Sequence, residues 1–398
     1  MGEIMATKVN PDFRDEIIEL GGDTLNSCMN CGNCTAVCSL PQNGSYFPRR
    51  LIRYAQLGMK DRILGDKDIW LCYYCGDCSQ TCPRQAEPGE LMAAARRYAI
   101  SQYDVTGLSR ILYRSRIAHW GVLAVLSLLF TLLLLWHRGD INGKQLELFK
   151  WIPGHVIHDL GVAVFVIVGI ACAVGLLNMI RHFFRVQKQS GHTGSLRWSE
   201  FPAALGYALA ESLGQGRYRA CGSLDADKTN GKSPERIAPW LVHSLILWGF
   251  LGLLLATTLD YLFRPLETYG SYVQLWHPIR LLGTVAGVVC LTGTSIAIWR
   301  RWTRPTKYYS LSRYSDWFLL WLLFATVLTG FVTEVIVYLP HATWFSYIGF
   351  LVHVVLAMDL IVLLPMTKFA HVVYRPVALL LHRWLELSEA AATKTATA

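Results

Sequence analysis

Two copies of one cysteine pattern near the N-terminus place the strongest constraint on this chain. Both copies have the spacing C-x2-C-x2-C-x3-C, and they begin 44 residues apart. This spacing is typical of [4Fe–4S] clusters, and where two copies cooperate the fourth cysteine of each ligates the other cluster. We therefore predict two clusters, each with one set of four ligands. The first cysteine set is Cys28, Cys31, Cys34 and Cys82, and the second cysteine set is Cys72, Cys75, Cys78 and Cys38.

Zinc sites and disulfides would use these cysteines in other patterns. Structural zinc usually takes two separated CxxC pairs or mixtures of cysteine and histidine. The first 25 residues are charged and lack the apolar segment of a secretory signal, so we expect a reducing compartment, in which disulfides are rare. The sequence favours iron–sulfur clusters over both a pair of zinc knuckles and a disulfide framework.

The rest of the chain has the composition of a membrane protein. Of the 398 residues, 53% are hydrophobic and 16% are charged, whereas soluble proteins carry about 25% charged residues. The apolar residues concentrate in six runs after residue 116, each long enough to cross a bilayer, which takes about 20 residues. The predicted membrane helices are Ile117–Trp136, Val156–Ile180, Pro239–Phe263, Pro278–Trp299, Ser315–Tyr338 and Ser346–Pro365.

The basic residues behind the net charge of +9 lie at the ends of the predicted membrane helices and therefore do not indicate a nucleic-acid-binding surface. Basic residues cluster before the first helix, after the second, between the fourth and fifth, and after the sixth. Because cytoplasmic loops carry the excess of Lys and Arg, we predict a multi-pass protein of the cytoplasmic (inner) membrane. The cysteine domain, the loop at 187–238 and the C-terminus would then all face the cytoplasm. We expect most of that loop to be a solvated linker, and the end of the chain after Leu387 to be frayed.

Three histidines in the predicted membrane helices are candidate haem ligands. A histidine in hydrocarbon is costly unless it has a partner, and imidazole pairs on facing helices hold b-type haem in helical bundles. His353 and His371 would lie roughly 27 Å apart on one face of the sixth helix if that helix continues past Pro365. His243 opens the third helix at the depth of His371. We predict a haem between His243 and His371.

The partner of His353 is left open by the sequence. His277 opens the fourth helix and His158 opens the second, and both match the depth of His353 on the side opposite the cysteines. We expect the pair to be His353 with His277, with His158 as the alternative. Either histidine could instead face lipid headgroups at the interface.

The quoted motifs resemble two known families. The stretch IWLCYYCGDCSQTCPRQAEP, within residues 28–100, resembles the C subunit of heterodisulfide reductase. Residues 239–376, with PWLVHSLILWGF, TVAGVVCLTG and FLVHVVLAMDLIVLLPMTKFAHVVYRP, resemble the cytochrome b (gamma) subunit of respiratory nitrate reductase and the related heterodisulfide reductase membrane subunit. A fusion of these two parts resembles the membrane subunits of the quinone-interacting membrane-bound oxidoreductase (Qmo) family.

The resemblance implies an all-α protein, a small helical two-cluster ferredoxin-like domain followed by a six-helix transmembrane cytochrome b bundle. The expected divisions are a cluster domain at 1–108, two membrane helices at 109–185, a loop at 186–238, a cytochrome b domain at 239–376 and a tail at 377–398. The resemblance also implies two haems b. This chain departs from the nitrate reductase pattern at Leu253 of the third membrane helix, where that family has a second haem-ligating histidine. One or two haems are therefore expected.

The function implied is that of an electron-transfer subunit in a quinone oxidoreductase complex. Electrons would pass between a quinone, either menaquinone or ubiquinone, and cytoplasmic flavin and iron–sulfur partner subunits, with adenylylsulfate reductase of dissimilatory sulfur metabolism as the client. A heterodisulfide-type or sulfite-reductase-linked complex is an alternative, as is a redox-silent membrane anchor. Candidate quinone-site residues are His277, Arg280 and Asp359. Asp359 could relay protons or hydrogen-bond a polar group within the bundle.

Overall fold

Every regular element in the described part of the chain is a helix. The computed structural model describes residues 8–40, 46–140, 146–189, 196–221, 237–263, 274, 276–304, 309, 311–338 and 343–397. No strand occurs within these ranges. The prediction of an all-α protein is confirmed.

Eight helices form the N-terminal domain. The short helices α2 and α6 each begin one glycine after the second cysteine of a motif. The longest of the eight, α7, begins at Pro88, as its proline predicts. The eight helices are α1 (Phe13–Glu19), α2 (Asn33–Val37), α3 (Arg49–Gln56), α4 (Lys60–Leu64), α5 (Asp68–Leu71), α6 (Asp77–Gln80), α7 (Pro88–Tyr103) and α8 (Leu108–Arg114).

The segment between the two motifs differs from the single amphipathic helix that its periodicity predicts over residues 48–63. The structure divides it into α3 and α4 at Gly58, whose φ is +72°. A helix cannot continue through a left-handed residue, and glycine adopts that conformation at little cost. The buried face is nevertheless as predicted, since Leu51, Ile52 and Ala55 are all buried.

Six helices are long and apolar enough to cross a membrane, as predicted. The six helices alternate in direction, so that the first begins and the sixth ends beside the N-terminal domain. We call the end of the bundle beside that domain the proximal end, and the opposite end the distal end. Apolar side chains such as Val125, Leu132 and Ile167 are exposed on their outer faces, as lipid contact requires. The six are α9 (Arg116–Trp136), α11 (Gly154–Gln189), α14 (Pro239–Phe263), α15 (Pro278–Thr303), α16 (Tyr314–Ile336) and α17 (Trp344–Val362). The short helix α10 (Leu148–Trp151) lies between α9 and α11 in the chain.

The sixth membrane helix does not continue to His371, so the condition under which both histidines would share one helix is not met. Helix α17 ends at Val362 and is followed by two 3-10 turns, Leu364–Met366 and Lys368–Ala370. Pro365 lacks the N–H that would continue the helix, and its ring clashes with the preceding turn. A new helix, α18 (His371–Thr397), begins at the predicted ligand itself.

The loop and the tail are also more structured than predicted. The loop contains helices α12 (Phe201–Gly214) and α13 (Gly216–Ala220), and the chain after Leu387 continues in helix α18. Trp384 of α18 joins them, because its ring packs against Phe201 and its indole N–H donates to the Arg197 carbonyl at 2.8 Å. The described part of this loop is therefore a packed layer on the N-terminal domain. Residues 190–195 and 222–236 lie outside the described ranges.

The N-terminal domain shares its hydrophobic core with the other end of the chain. Trp70 and Tyr103 of the domain meet Tyr374 of α18, with ring centroids 5.0 and 5.3 Å apart. Ala378 and Leu379 of α18 are fully buried in the same core. Part of the apolar surface that stabilises the cysteine domain thus comes from a helix that the sequence places in a tail.

Small residues allow the closest pair of membrane helices, α14 and α15, to pack. An ideal Cβ built on Gly249 would lie 2.5 Å from the backbone nitrogen of Cys290, and one on Gly293 would lie 2.9 Å from the Leu245 side chain. Transmembrane helices associate mainly through van der Waals packing, for which small interface residues are needed. This contact fixes the helix that carries His243.

We predict that Gly249→Ala destabilises the protein by about 1–3 kcal/mol, the usual cost of overpacking, because the backbone of Cys290 cannot yield. Gly169→Ala in α11 is the matched control, since no atom lies within 4 Å of its added Cβ. Thermal unfolding in detergent is the measurement. A Gly249 variant as stable as the Gly169 variant would contradict the close packing.

Candidate functional site

The two cysteine motifs adopt the same backbone conformation. In each motif the residue before the second cysteine has a positive φ, 60° at Asn30 and 58° at Tyr74. The glycine after that cysteine does too, with 91° at Gly32 and 89° at Gly76. These residues turn the chain sharply before α2 and α6 begin, which directs successive cysteines toward one point. The repeat in sequence is thus a repeat in structure.

The structure groups the cysteines as the spacing rule predicts. Cys28, Cys31, Cys34 and Cys82 line one cavity, and Cys38, Cys72, Cys75 and Cys78 line a second. Asn33 ties the two motifs together, since its side-chain amide donates to the Thr81 carbonyl at 2.6 Å. No three Cys, His, Asp or Glu side chains of the described residues are placed to hold a single metal ion.

The two cysteine sets differ in exposure. Cys31 of the first set is exposed, and its neighbour Met29 is 62% exposed. The second set has no exposed member, although each set has one buried cysteine, Cys34 in the first and Cys72 in the second. Burial raises the pKa of Cys34 to about 11 and that of Cys38 to about 12. Binding iron to these thiols must therefore displace protons.

The predicted ligands His243 and His371 face each other at the proximal end, although they lie on separate helices. Their ring centroids are 6.1 Å apart. Two imidazoles on opposite sides of one metal, each bonded at roughly 2 Å, need a separation of this size. Burial and the neighbouring His243 lower the pKa of His371 to about 3, so its ring is neutral, as a metal ligand must be.

Both proximal histidines have one ring nitrogen occupied. Nδ1 of His371 donates to the Lys368 carbonyl at 2.7 Å, and Nδ1 of His243 lies 2.9 Å from Oε1 of Gln215. Gln215 is buried and joins α12 to α13. With Nδ1 bonded in this way, the Nε2 lone pair of each ring is available to bind a metal. Such hydrogen bonds orient histidine ligands in metal sites.

Aromatic side chains connect the second cysteine set to the proximal histidines. Tyr73 directly follows Cys72 and stacks on Tyr218 of α13, with centroids 4.8 Å apart and an interplanar angle of 7°. Tyr218 in turn meets His243 at 6.0 Å. The hydroxyl of Tyr73 donates to the carboxylate of Glu211. The path from Cys72 to His371 therefore runs through side chains in contact.

Arg375, one turn after His371, fixes this path from the side. Its guanidinium lies 3.7 Å from the centroid of the Tyr73 ring. It also donates to the carbonyls of Trp70 at 2.8 Å and Cys72 at 3.3 Å. A single side chain of the C-terminal helix thus holds both the ring and the backbone beside the second set.

His353 lies deeper in the bundle, between α16 and α17. Its Nδ1 donates to the Thr326 carbonyl at 3.1 Å and lies 3.2 Å from the Thr329 hydroxyl. Nε2 is again the nitrogen left for a ligand. Its ring makes no contact with another histidine among the described residues.

The two candidate partners of His353 lie in different settings. His277 is exposed at the start of α15, and His158 of α11 packs against Tyr261 with centroids 4.6 Å apart. The ion pair of Arg280 with Glu334 aligns α15 with α16, and at 1.5 Å per residue it places His277 about 10 Å nearer the distal end than His353. That offset disfavours the His353–His277 pair, which stays a prediction.

The predicted quinone-site residues do not form one group. Arg280 lies at the distal end, 3.5 Å from Glu334 and 4.8 Å from the centroid of the Tyr338 ring. Asp359 is fully buried further toward the proximal end, where the Ser127 hydroxyl donates to its Oδ2 at 2.5 Å. Hydrogen bonding within the bundle, one of the two roles considered for Asp359, is therefore observed. His277 and Arg280 share one end of α15.

Sequence reasoning missed the residues that connect the predicted sites. Gln215 and Tyr218 lie in the segment predicted to be a linker, and Arg375 lies in the basic cluster that follows the sixth membrane helix. Tyr73 carried a signal, because it lies between two cysteines of a motif. The other three had none, since only the tertiary fold brings their segments together.

Comparison with known families divides the chain into two parts. Residues 27–87 match the 4Fe-4S dicluster domain family. Residues 144–393 match the citrate utilization protein B family. No solved structure matches the chain.

The N-terminal part is similar to the C subunits of heterodisulfide reductases. A protein of Archaeoglobus profundus that is named as like this C subunit is 34% identical over 110 residues, 27% of this chain and 58% of that protein. The C subunit of the H2:CoB-CoM heterodisulfide, ferredoxin reductase of Methanothermobacter marburgensis is 35% identical over 91 residues, 23% of this chain and 49% of that protein. The chain spans about half the length of the curated relatives it matches.

These similarities confirm the heterodisulfide-reductase-C-like [4Fe–4S] domain and indicate an iron–sulfur electron-transfer subunit with six candidate membrane helices. The second family match covers residues 144–393, well over half of the chain, and includes five of the six candidate membrane helices as well as α12, α13 and most of α18. The protein therefore belongs to the citrate utilization protein B family.

Proposed function

We propose that this protein is the membrane subunit of a quinone-linked oxidoreductase complex. It relays electrons between a membrane quinone and cytoplasmic flavin and iron–sulfur subunits, through two [4Fe–4S] clusters and b haem. The observation that carries this proposal is the contact path from the second cysteine set through Tyr73 and Tyr218 to His243 and His371. A membrane anchor without electron transfer has no need of this path.

The residues around the proximal pair fit a b haem. His243 and His371 would hold the iron through Nε2, while Gln215 and the Lys368 carbonyl keep their Nδ1 protons in place. Arg375 supplies positive charge beside the pair, and Lys368 is paired with Asp316 at 2.5 Å. A haem bound there supplies one-electron redox chemistry. The protein's part is to hold the two imidazoles neutral and oriented.

The two cysteine sets take different places in the relay. The first set, with exposed Cys31, is the one within reach of a soluble partner protein. The second set is the one that Tyr73 and Tyr218 connect to the histidines. Since clusters carry one electron and quinones two, a quinone site within the bundle must divide the pair.

A second haem and a quinone site also belong to this relay. His353 would ligate a second haem, with His277 or His158 as its partner. His277 and Arg280, at the distal end, remain candidates for quinone contact, and Asp359 for proton transfer. We also propose that the protein lies in the inner membrane with its N-terminal domain on the cytoplasmic side. Its proposed domains are 1–108, 109–185, 186–238, 239–376 and 377–398.

Two clients are consistent with these features. A complex of the Qmo type would exchange electrons with adenylylsulfate reductase, and a heterodisulfide-type or sulfite-reductase-linked complex would use the same parts. The name of the matched family refers to the utilization of citrate. It therefore favours a third candidate, an oxidoreductase complex that oxidises a tricarboxylate. Affinity purification of the intact complex, with identification of the co-purified subunits, decides between sulfur and carboxylate metabolism.

Anaerobically purified protein should contain about eight non-haem irons per chain, four for each cluster. Cys75→Ser should lower this number to about four, because one cluster loses a ligand while the other keeps its full set. Cys172→Ser, in α11 and remote from both sets, is the control. Iron and acid-labile sulfide analysis is the measurement, and stoichiometric zinc in place of iron would refute the cluster assignment.

We expect His243→Ala and His371→Ala each to remove one low-spin bis-imidazole haem signal while the cluster signals persist, because each variant deletes one axial ligand. His137→Ala, an exposed histidine at the end of α9, is the control. Optical and electron paramagnetic resonance (EPR) spectra with haem quantitation provide the test. Full haem content in both variants would show that the pair is structural.

A further inference from the structure

A fifth thiol lies beside the second cysteine set. Cys221 lines the same cavity as Cys38, Cys72, Cys75 and Cys78. A cubane cluster takes four thiolates, and the two motifs already supply the eight that two clusters need. Cys221 is therefore additional to the ligands that the motif spacing predicts. It comes from a segment about 140 residues away from the second motif.

Contacts on several sides hold Cys221 in this position. Its backbone N–H donates to the Tyr218 carbonyl at 3.1 Å, and Tyr218 is stacked on Tyr73. The start of α13 is held by Glu211, whose carboxylate accepts from the Arg217 backbone at 3.1 Å. Sγ of Cys221 lies 3.6 Å from Oγ of Ser39, the residue after Cys38.

Within this cavity, Cys221 is the one cysteine that the two motifs do not use as a ligand. An iron-bound cysteine is a thiolate and can only accept a hydrogen bond. Once the four cysteines of the second set are ligands, Cys221 is the thiol of the cavity that still carries a hydrogen to donate.

We propose that Cys221 is a positioning residue of the second cluster, whose S–H donates a hydrogen bond to a sulfur of that cluster or of its cysteine ligands and raises the reduction potential of the cluster. This inference rests on the proposed cluster ligation. A donor at such a sulfur stabilises the additional negative charge of the reduced cluster, and hydrogen bonds to the sulfurs are among the factors that set such potentials. The effect falls on the cluster that Tyr73 and Tyr218 connect to His243.

The test is a redox titration of the intact, anaerobically purified protein followed by EPR, with the first cluster as internal reference. Cys221→Ala should lower the equilibrium constant for reduction of the second cluster about fivefold, the value of one ordinary hydrogen bond. Cys221→Ser keeps a donor and should stay within about twofold of the unmodified protein. Cys172→Ala should leave both clusters unchanged, and all variants should keep about eight irons.

Two results would overturn the proposal. An unchanged second cluster in Cys221→Ala, with full iron content, means that the thiol has no influence on it. Loss of about four irons in that variant means that Cys221 is a ligand and not a donor to one. Should the alanine variant fold poorly, Cys221→Val, which fills the same space without a donor, gives the same comparison. Failure of the ligation scheme itself would appear separately, as fewer than two cluster signals in the unmodified protein.

Discussion

The arrangement of both candidate redox centres depends on one side chain, Arg375. Its guanidinium covers the ring of Tyr73, and its N–H groups donate to the backbone carbonyls of residues 70–72. A planar guanidinium can do both at once, whereas a lysine offers one point charge. Since Arg375 lies one turn from His371, it sets the distance between the N-terminal domain and the histidine pair. The stack of Tyr73 on Tyr218 then needs only the correct placement of α13.

The break after α17 gives the protein a geometry that a continuous helix does not provide. A straight helix through Pro365 would place His371 on the same axis as His353 and direct the chain away from the bundle. The two 3-10 turns instead reposition the chain, so that α18 runs along the N-terminal domain and buries Tyr374, Ala378 and Leu379 there. One proline thus separates a membrane helix from a helix that closes the cysteine domain.

The features that the sequence predicts well are those encoded locally. Cysteine spacing gave the grouping of the eight thiols, because two identical turns impose it, and apolar length gave the six membrane helices. The pairing of His243 with His371 follows from depth alone, and it does not require the sixth membrane helix to continue past Pro365. The sequence does not predict the roles of Gln215, Tyr218 and Cys221. The helices beside them have weak periodicity, and contacts with distant residues determine their positions. The partner of His353 was undecided for a related reason, since depth estimates from helix ends cannot resolve a shift of a few residues.

The core shared by the N-terminal domain and α18 constrains the order in which the protein can be made. Tyr103 leaves the ribosome roughly 270 residues before Tyr374 and Ala378, which at synthesis rates of about 5–20 residues per second is a delay on the order of 15–50 seconds. Throughout that time the apolar surface around Trp70 lacks the cover that α18 later provides. The domain reaches its final packing only after all six membrane helices have been translated. The last packing step of the domain that holds both cysteine sets is thus coupled to completion of the polypeptide.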